Sequence, residues 1–140
     1  DQVKAIASGQ GDIAVVNSYY IGLLLSSEKE EELNAGNSVG VYFPNQGENQ
    51  RGAHINVSGI ALTKNAPNRD NAIKLISFLT SESAQQTYVD NTYEYSVNSN
   101  IEPNGIVKNW GDFKKDKLDL NMLGVKRNEA IRIFDKTGWK

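Results

Sequence analysis

The sequence has no cysteine and a single histidine, His54. The lack of cysteine excludes a disulfide framework, a thiolate zinc site and a cysteine nucleophile. Because one imidazole cannot form a histidine cluster, any metal site must be built mainly from oxygen ligands. No apolar run approaches the roughly 20 residues of a membrane-spanning helix.

A surplus of charge of one sign is also lacking. The 140 residues include 17 acidic and 15 basic side chains, so the net charge is −2 with His54 neutral. A nucleic-acid-binding protein would show a basic surplus or stripe, so this balance argues against nucleic acid as a partner. Enzyme signatures are missing too, because no Ser-His-Asp set is evident and Gly9-Gln10-Gly11 lacks the spacing of a phosphate-binding loop.

The pattern of apolar residues predicts an α/β chain in which helices alternate with short, mainly parallel strands. The predicted helices cover residues 3–8, 19–25, 27–36, 72–79, 81–90 and 125–136. The predicted strands cover residues 13–16, 38–43 and 54–62, and residues 93–97 are expected to be extended. We further expect Ser27 and Glu30 to form a capping box, Thr80-Ser81-Glu82 to cap the helix that runs to residue 90, and the last helix to bury Ala130, Ile131 and Phe134.

The candidate for chemistry is the run Asn17-Ser18-Tyr19-Tyr20, directly after the predicted strand 13–16. In open α/β sheets, ligands bind beyond the carboxyl ends of strands, and a helix beginning there favours anions. Two neighbouring tyrosines at such a turn can aim both hydroxyls at one point. Phenolate is a hard anionic ligand that needs a strong Lewis acid to ionise at neutral pH, which favours Fe³⁺ over Zn²⁺ or Cu²⁺.

The residues alone leave a second interpretation of the pair open. Tyrosine occurs six times in the chain, so an adjacent pair is a weak motif. Tyr19 and Tyr20 are equally consistent with two packing side chains whose hydroxyls are satisfied by ordinary hydrogen bonds.

Longer runs around the pair resemble a known family. Residues 11–20, Gly-Asp-Ile-Ala-Val-Val-Asn-Ser-Tyr-Tyr, resemble the tyrosine-pair segment of the periplasmic ferric-ion-binding proteins of ABC iron importers. Further similar segments follow in the same order at residues 38–44, 52–59, 72–85 and 93–98. The resemblance thus extends over nearly the whole chain, which makes it more specific than the dipeptide.

This resemblance implies a fold of two transferrin-like α/β lobes of the periplasmic-binding-protein type, with iron in the cleft. We then expect this chain to cover the C-terminal part. Residues 1–54 would form a second-lobe segment carrying the tyrosine pair. Residues 55–111 would provide the return crossing strand and a first-lobe segment, and residues 112–140 a C-terminal helical segment packing on the second lobe. An N-terminal portion would supply the rest.

The resemblance also implies a function and a site. Tyr19 and Tyr20 match the two adjacent iron-binding tyrosines, and Asn17 matches a position that, in some members, helps to hold a synergistic anion beside the metal. The expected cargo is Fe³⁺, delivered in the bacterial periplasm to an ABC permease without any covalent reaction. The alternatives are a binding protein of the same fold for a polyamine or an organic anion, and the effector domain of a transcription regulator.

Overall fold

A computed structural model describes residues 1–139, and within that range the regular structure is helical. The helices are α1 (Gln2–Ala7), α2 (Tyr19–Leu25), α3 (Glu30–Asn37), α4 (Arg69–Leu79), α5 (Glu82–Thr92), α6 (Gly105–Lys108) and α7 (Asn121–Thr137). The chain divides into two compact units. Unit 1 combines Asp1–Tyr42 with Asn56–Asp112, and unit 2 combines Phe43–Ile55 with the chain from Phe113 onward.

The predicted helices are confirmed at their main positions. Helix α2 has the predicted bounds, and α1 ends just before Gly9, whose φ of 79° is in the left-handed region that favours glycine. Ser81 caps α5 as predicted, because its Oγ accepts a hydrogen bond from the Ala84 amide at 3.5 Å.

Unit 1 is organised around α2, which contacts α3, α5 and α6. Helix α1 also packs on α3, and α4 packs on α5. Five buried apolar side chains form the core of this unit, and Val89 and Val107 are the most completely enclosed. The core consists of Val3, Ile21, Ala84, Val89 and Val107. Helix α2 therefore lies at the centre of the packed part of unit 1.

The predicted capping box at the start of α3 is wrong. The N-cap residue is Lys29, and its side chain makes no capping hydrogen bond. Ser27 Oγ instead accepts from the Lys29 amide at 3.2 Å and donates to Glu32 Oε2 at 2.6 Å. The helix begins later than predicted, so the carboxylate within reach of Ser27 is Glu32 rather than Glu30.

The strands predicted at residues 13–16, 38–43 and 54–62 are not formed within residues 1–139. Only an isolated parallel bridge between Ala53 and Lys115 is present in this range. A strand requires backbone hydrogen bonds to a neighbouring strand, and apolar patterning alone does not supply that neighbour. Ile13 and Val15 are 87% and 80% exposed, so their apolar run lies on the surface of unit 1.

Unit 2 contains two short segments bound to each other. Ala53 donates its amide proton to the Lys114 carbonyl and accepts from the Asp116 amide, both at 2.8 Å. The rings of Phe43 and Phe113 stack with centroids 4.0 Å apart. Gly52 has a φ of 94°, and a Cβ there would lie 2.6 Å from the Lys114 carbonyl oxygen, so the close approach requires glycine.

Helix α7 differs from the prediction in its burial. Ala130, Ile131 and Phe134 are all exposed, so the expectation that they are buried is wrong for the described chain. No residue of α7 is buried, because no other described element of unit 2 covers its apolar face. Within residues 1–139, no helix has both the length and the apolar character needed to cross a bilayer.

Candidate metal centre

Tyr19 and Tyr20 are the first two residues of α2, and a tight turn places them there. The Tyr20 amide donates to the Asn17 carbonyl at 3.2 Å, and the Ile21 amide donates to the Ser18 carbonyl at 3.0 Å. Ser18 is the N-cap residue, with helical backbone angles and no side-chain capping bond. Both tyrosines therefore project from the first helical turn, where successive side chains need not point to opposite sides as they would in a strand.

The two phenol rings lie against each other. Their centroids are 4.3 Å apart and the ring planes are inclined by 37°. A side-chain hydrogen bond with Tyr19, followed by the charge of Tyr19 and some loss of hydration, raises the pKa of Tyr20 above its usual 10.0. The pair is therefore close enough for the two phenol groups to interact.

Each tyrosine also lines its own groove in unit 1. Tyr19 faces a groove of about 300 Å³, together with Leu23. The other lining residues are Asn91 and Thr92, which end α5, and Glu94, which follows it. Tyr20, by contrast, faces a groove of about 460 Å³ between α2 and α1. The two rings thus lie against each other but, apart from Leu23, line their grooves with different neighbours.

The turn after α5 is a part of the site that sequence reasoning missed. Tyr93 ends α5 with a φ of 57°, an uncommon conformation for an aromatic residue. The Tyr93 Cβ and ring lie directly over Gly22, so that a Cβ on Gly22 would be closer to Tyr93 than real contacts allow. The one available signal was a glycine inside a helical run, which often marks a close packing contact.

Asn17 contributes only its backbone to the turn before the pair, and His54 belongs to the other compact unit. Asn17 is exposed, and its carbonyl accepts the Tyr20 amide. His54 is exposed and belongs to unit 2, where Arg51 Nε also pairs with Asp116 Oδ2 at 2.8 Å. Residues 1–139 contain no group of three or more histidine, cysteine, aspartate or glutamate side chains able to hold a metal ion.

Comparison with known proteins shows which family the chain resembles in sequence. A sequence model of the bacterial extracellular solute-binding proteins matches residues 1–115. The chain is 43% identical over 139 residues to iron uptake protein A1 of Synechocystis, covering 99% of this chain and 38% of that protein. It is 24% identical over 139 residues to the major ferric iron-binding protein of Neisseria meningitidis, covering 40% of that protein.

Solved structures agree closely with the described chain. A ferric binding protein from Campylobacter jejuni has a TM-score of 0.92 at 38% identity, over 100% of this chain and 44% of that one. The Trichodesmium protein in complex with iron and citrate has a TM-score of 0.93 at 40% identity, over 99% and 43%.

The predicted fold class, the α/β two-lobed binding-protein type, is confirmed by these neighbours, although the individual strands are not formed in residues 1–139. The chain spans about two fifths of the length of the relatives that it matches. Their family consists of binding proteins rather than enzymes. By the match over residues 1–115 and the structural agreement, the chain belongs to the bacterial extracellular solute-binding proteins and is similar to their ferric-ion-binding members.

Proposed function

We propose that this chain binds Fe³⁺ through the phenolate oxygens of Tyr19 and Tyr20, as part of a periplasmic protein for iron uptake. The observation that carries the proposal is the contact between the two phenol rings at the start of α2, with their centroids 4.3 Å apart. Support comes from relatives described as iron uptake and ferric iron-binding proteins. An adjacent pair of phenol oxygens suits a hard, highly charged cation.

The chemistry requires both phenols to lose their protons. Fe³⁺ can displace these protons at neutral pH because a bound cation strongly favours the ionised form of its ligand. The pKa of Tyr20 is raised by its contact with Tyr19, so protons compete well for this oxygen. Iron affinity should therefore fall as the pH is lowered, and the loss should be steeper than for a single phenolate ligand.

Two phenolates leave most of an octahedral coordination shell to other ligands. Asn17 is our candidate for holding a synergistic anion beside the metal, since its carbonyl already fixes the turn that precedes the pair. The Trichodesmium structure, a complex with iron and citrate, supports an organic anion as one such ligand. The other ligands would come from the first lobe, most of which lies in the N-terminal portion.

The wider proposal concerns the arrangement of lobes and the delivery of iron. Residues 1–54 would belong to the second lobe, residues 55–111 would return to the first, and residues 112–140 would pack on the second. An N-terminal portion would complete the first lobe. Closure of the lobes around Fe³⁺ would then present the loaded protein to an ABC permease.

The test is a titration of the complete protein with ferric citrate, followed through the visible phenolate-to-iron absorption band. Tyr19→Phe and Tyr20→Phe should each weaken binding by orders of magnitude and reduce the band, because each removes one anionic ligand. Tyr42→Phe is the matched control, since Tyr42 is 82% exposed and is not part of α2. Acidification should weaken iron binding by the unmodified protein.

Unchanged affinity in both tyrosine variants would overturn the assignment. A protein that stays colourless in excess ferric ion, yet binds a polyamine or an organic anion, would favour a solute-binding protein of the same fold with another cargo.

A further inference from the structure

Resting on the function proposed above, we propose that Gly22 and Tyr93 are positioning residues for Tyr19. Their contact fixes the side of α2 from which the Tyr19 phenol projects, and so sets the distance between the two phenol oxygens. Neither residue would touch the metal. The inference concerns which parts of the chain set the geometry of the pair.

The first step is the contact itself. Gly22 is buried, and the Cβ and Cγ of Tyr93 occupy the space that a side chain on Gly22 would fill. These atoms are close to the Tyr93 backbone, so they cannot move away as the tip of a long side chain would. An alanine at position 22 must therefore displace either α2 or the turn that contains Tyr93.

The second step is the placement of Gly22 relative to the tyrosines. Gly22 lies three residues after Tyr19, so the two share a face of α2. The groove beside Tyr19 is lined by Asn91, Thr92 and Glu94, which flank Tyr93 on both sides. A shift at the contact is therefore transmitted to the surface on which the Tyr19 ring rests. Tyr20 faces the groove toward α1 and lacks this support.

The third step is that the turn is held firmly enough to act as a support. Tyr93 keeps a φ of 57°, which a non-glycine residue adopts only where its surroundings require it. Thr92 Oγ1 donates to the Tyr88 carbonyl at 2.8 Å and lies 3.4 Å from Glu94 Oε2. The backbone before Tyr93 is thus held by α5, and the backbone after it is held by the contact between Thr92 and Glu94.

The experiment compares Gly22→Ala, Tyr93→Gly and the double variant in the complete protein. Two quantities are measured: the affinity and band intensity for ferric citrate, and the contact between the Tyr19 and Tyr20 rings in the iron-free protein, followed by NMR as the nuclear Overhauser effect between them. Gly22→Ala should weaken iron binding by about tenfold to a hundredfold, as is typical when a residue supporting a metal ligand is lost. Its band should resemble that of Tyr19→Phe.

The iron-free measurement separates this inference from the function on which it rests. If Gly22→Ala moves Tyr19 away from Tyr20, the two rings separate from their centroid distance of 4.3 Å and the nuclear Overhauser effect between them weakens. The double variant should recover both properties, because Tyr93→Gly removes the atoms that the new methyl group meets and suits the positive φ.

Gly36→Ala is the matched control for lost stability alone. A Cβ at Gly36 would meet Leu24 and Leu25 of α2 at 3.2 Å, so it presses on the same helix from another side. It should lower the melting temperature while leaving the iron band and the contact between the Tyr19 and Tyr20 rings unchanged.

The inference is overturned if Gly22→Ala keeps the parent ring contact between Tyr19 and Tyr20, or if the double variant recovers nothing. If the ring contact responds as expected but no variant alters iron binding, the positioning role stands and the proposed function fails.

Discussion

Helices α2 and α7 show opposite relations between length and burial. Helix α2 has seven residues, contacts three other helices and buries Ile21 and Gly22. Helix α7 has 17 residues and buries none of them. An isolated helix as short as α2 is unstable in water, so its position depends on packing. Helix α7 depends instead on its own sequence and on its left-handed Gly138 cap.

The largest difference between the two regions should appear when buried and exposed side chains are shortened. Val107 of α6 is fully enclosed beside α2, whereas Ile131 of α7 is 44% exposed. Val107→Ala should cost about 2 kcal/mol of unfolding free energy, because it loses two buried methyl groups and leaves a cavity. Ile131→Ala should cost about 0.5 kcal/mol or less. Urea denaturation measures both, and equal losses would mean that α7 is covered after all.

The second comparison uses the same substitution in both helices. Gly124 of α7 has no atom within 4 Å of the position that a Cβ would take. Gly124→Ala should therefore stabilise the helix by up to about 1 kcal/mol, since glycine is a poor helix former. Gly22→Ala, by contrast, should lower the stability of the protein. Thermal unfolding followed by circular dichroism gives the sign of each change in stability. A lower melting temperature for Gly124→Ala would mean that another part of the protein packs against α7 at this position.

The smallest expected effect is a pH-dependent one near α2. Glu32 accepts from Lys4 Nζ at 3.1 Å and from Ser27 Oγ at 2.6 Å, and these bonds lower its pKa from 4.5 to about 2. The stability that this carboxylate contributes is therefore present above its unfolded pKa and is lost as the pH falls from about 4.5 toward 2.

Glu32→Gln should accordingly destabilise the protein at neutral pH, and the difference from the parent should shrink on acidification. Urea denaturation at a series of pH values measures this trend. Glu28→Gln is the control, because Glu28 is an exposed carboxylate in the same segment. A difference for Glu32→Gln that stays constant with pH would contradict the assigned ion pairing.

The sequence predicted local features well and tertiary partners poorly. The bounds of α2 and the Ser81 cap of α5 follow from residues a few positions apart, and both predictions are confirmed. The strand at residues 13–16 needed a hydrogen-bonding neighbour, and the burial of Ile131 needed a covering surface. Neither is present among residues 1–139, so the pattern of apolar residues alone gave a wrong prediction in both cases.

The candidate site also combines local features that the sequence predicted with a tertiary contact that it did not. The adjacent tyrosines were visible in the sequence, and their place in one helical turn brings their rings together. The contact of Gly22 with Tyr93 was not visible, because it joins residues far apart in the chain. The assignment of Tyr19 and Tyr20 as iron ligands, of Asn17 as an anion-binding residue and of the three chain segments to lobes stays a prediction.

Gln85 gives the turn around Tyr93 a second anchor. Its side-chain nitrogen donates to the Leu79 carbonyl at 2.8 Å, and its oxygen accepts from Ser96 Oγ and the Val97 amide at 2.9 and 3.0 Å. The Gln85 amide thereby links the end of α4 at Leu79 to the segment after α5 at Ser96 and Val97. Closing the short loop that contains Tyr93 has a small entropic cost. The buried side chain of Gln85 therefore limits the movement of the loop that contains Tyr93. Its amide nitrogen can only donate and its amide oxygen can only accept, so the two atoms cannot exchange their roles.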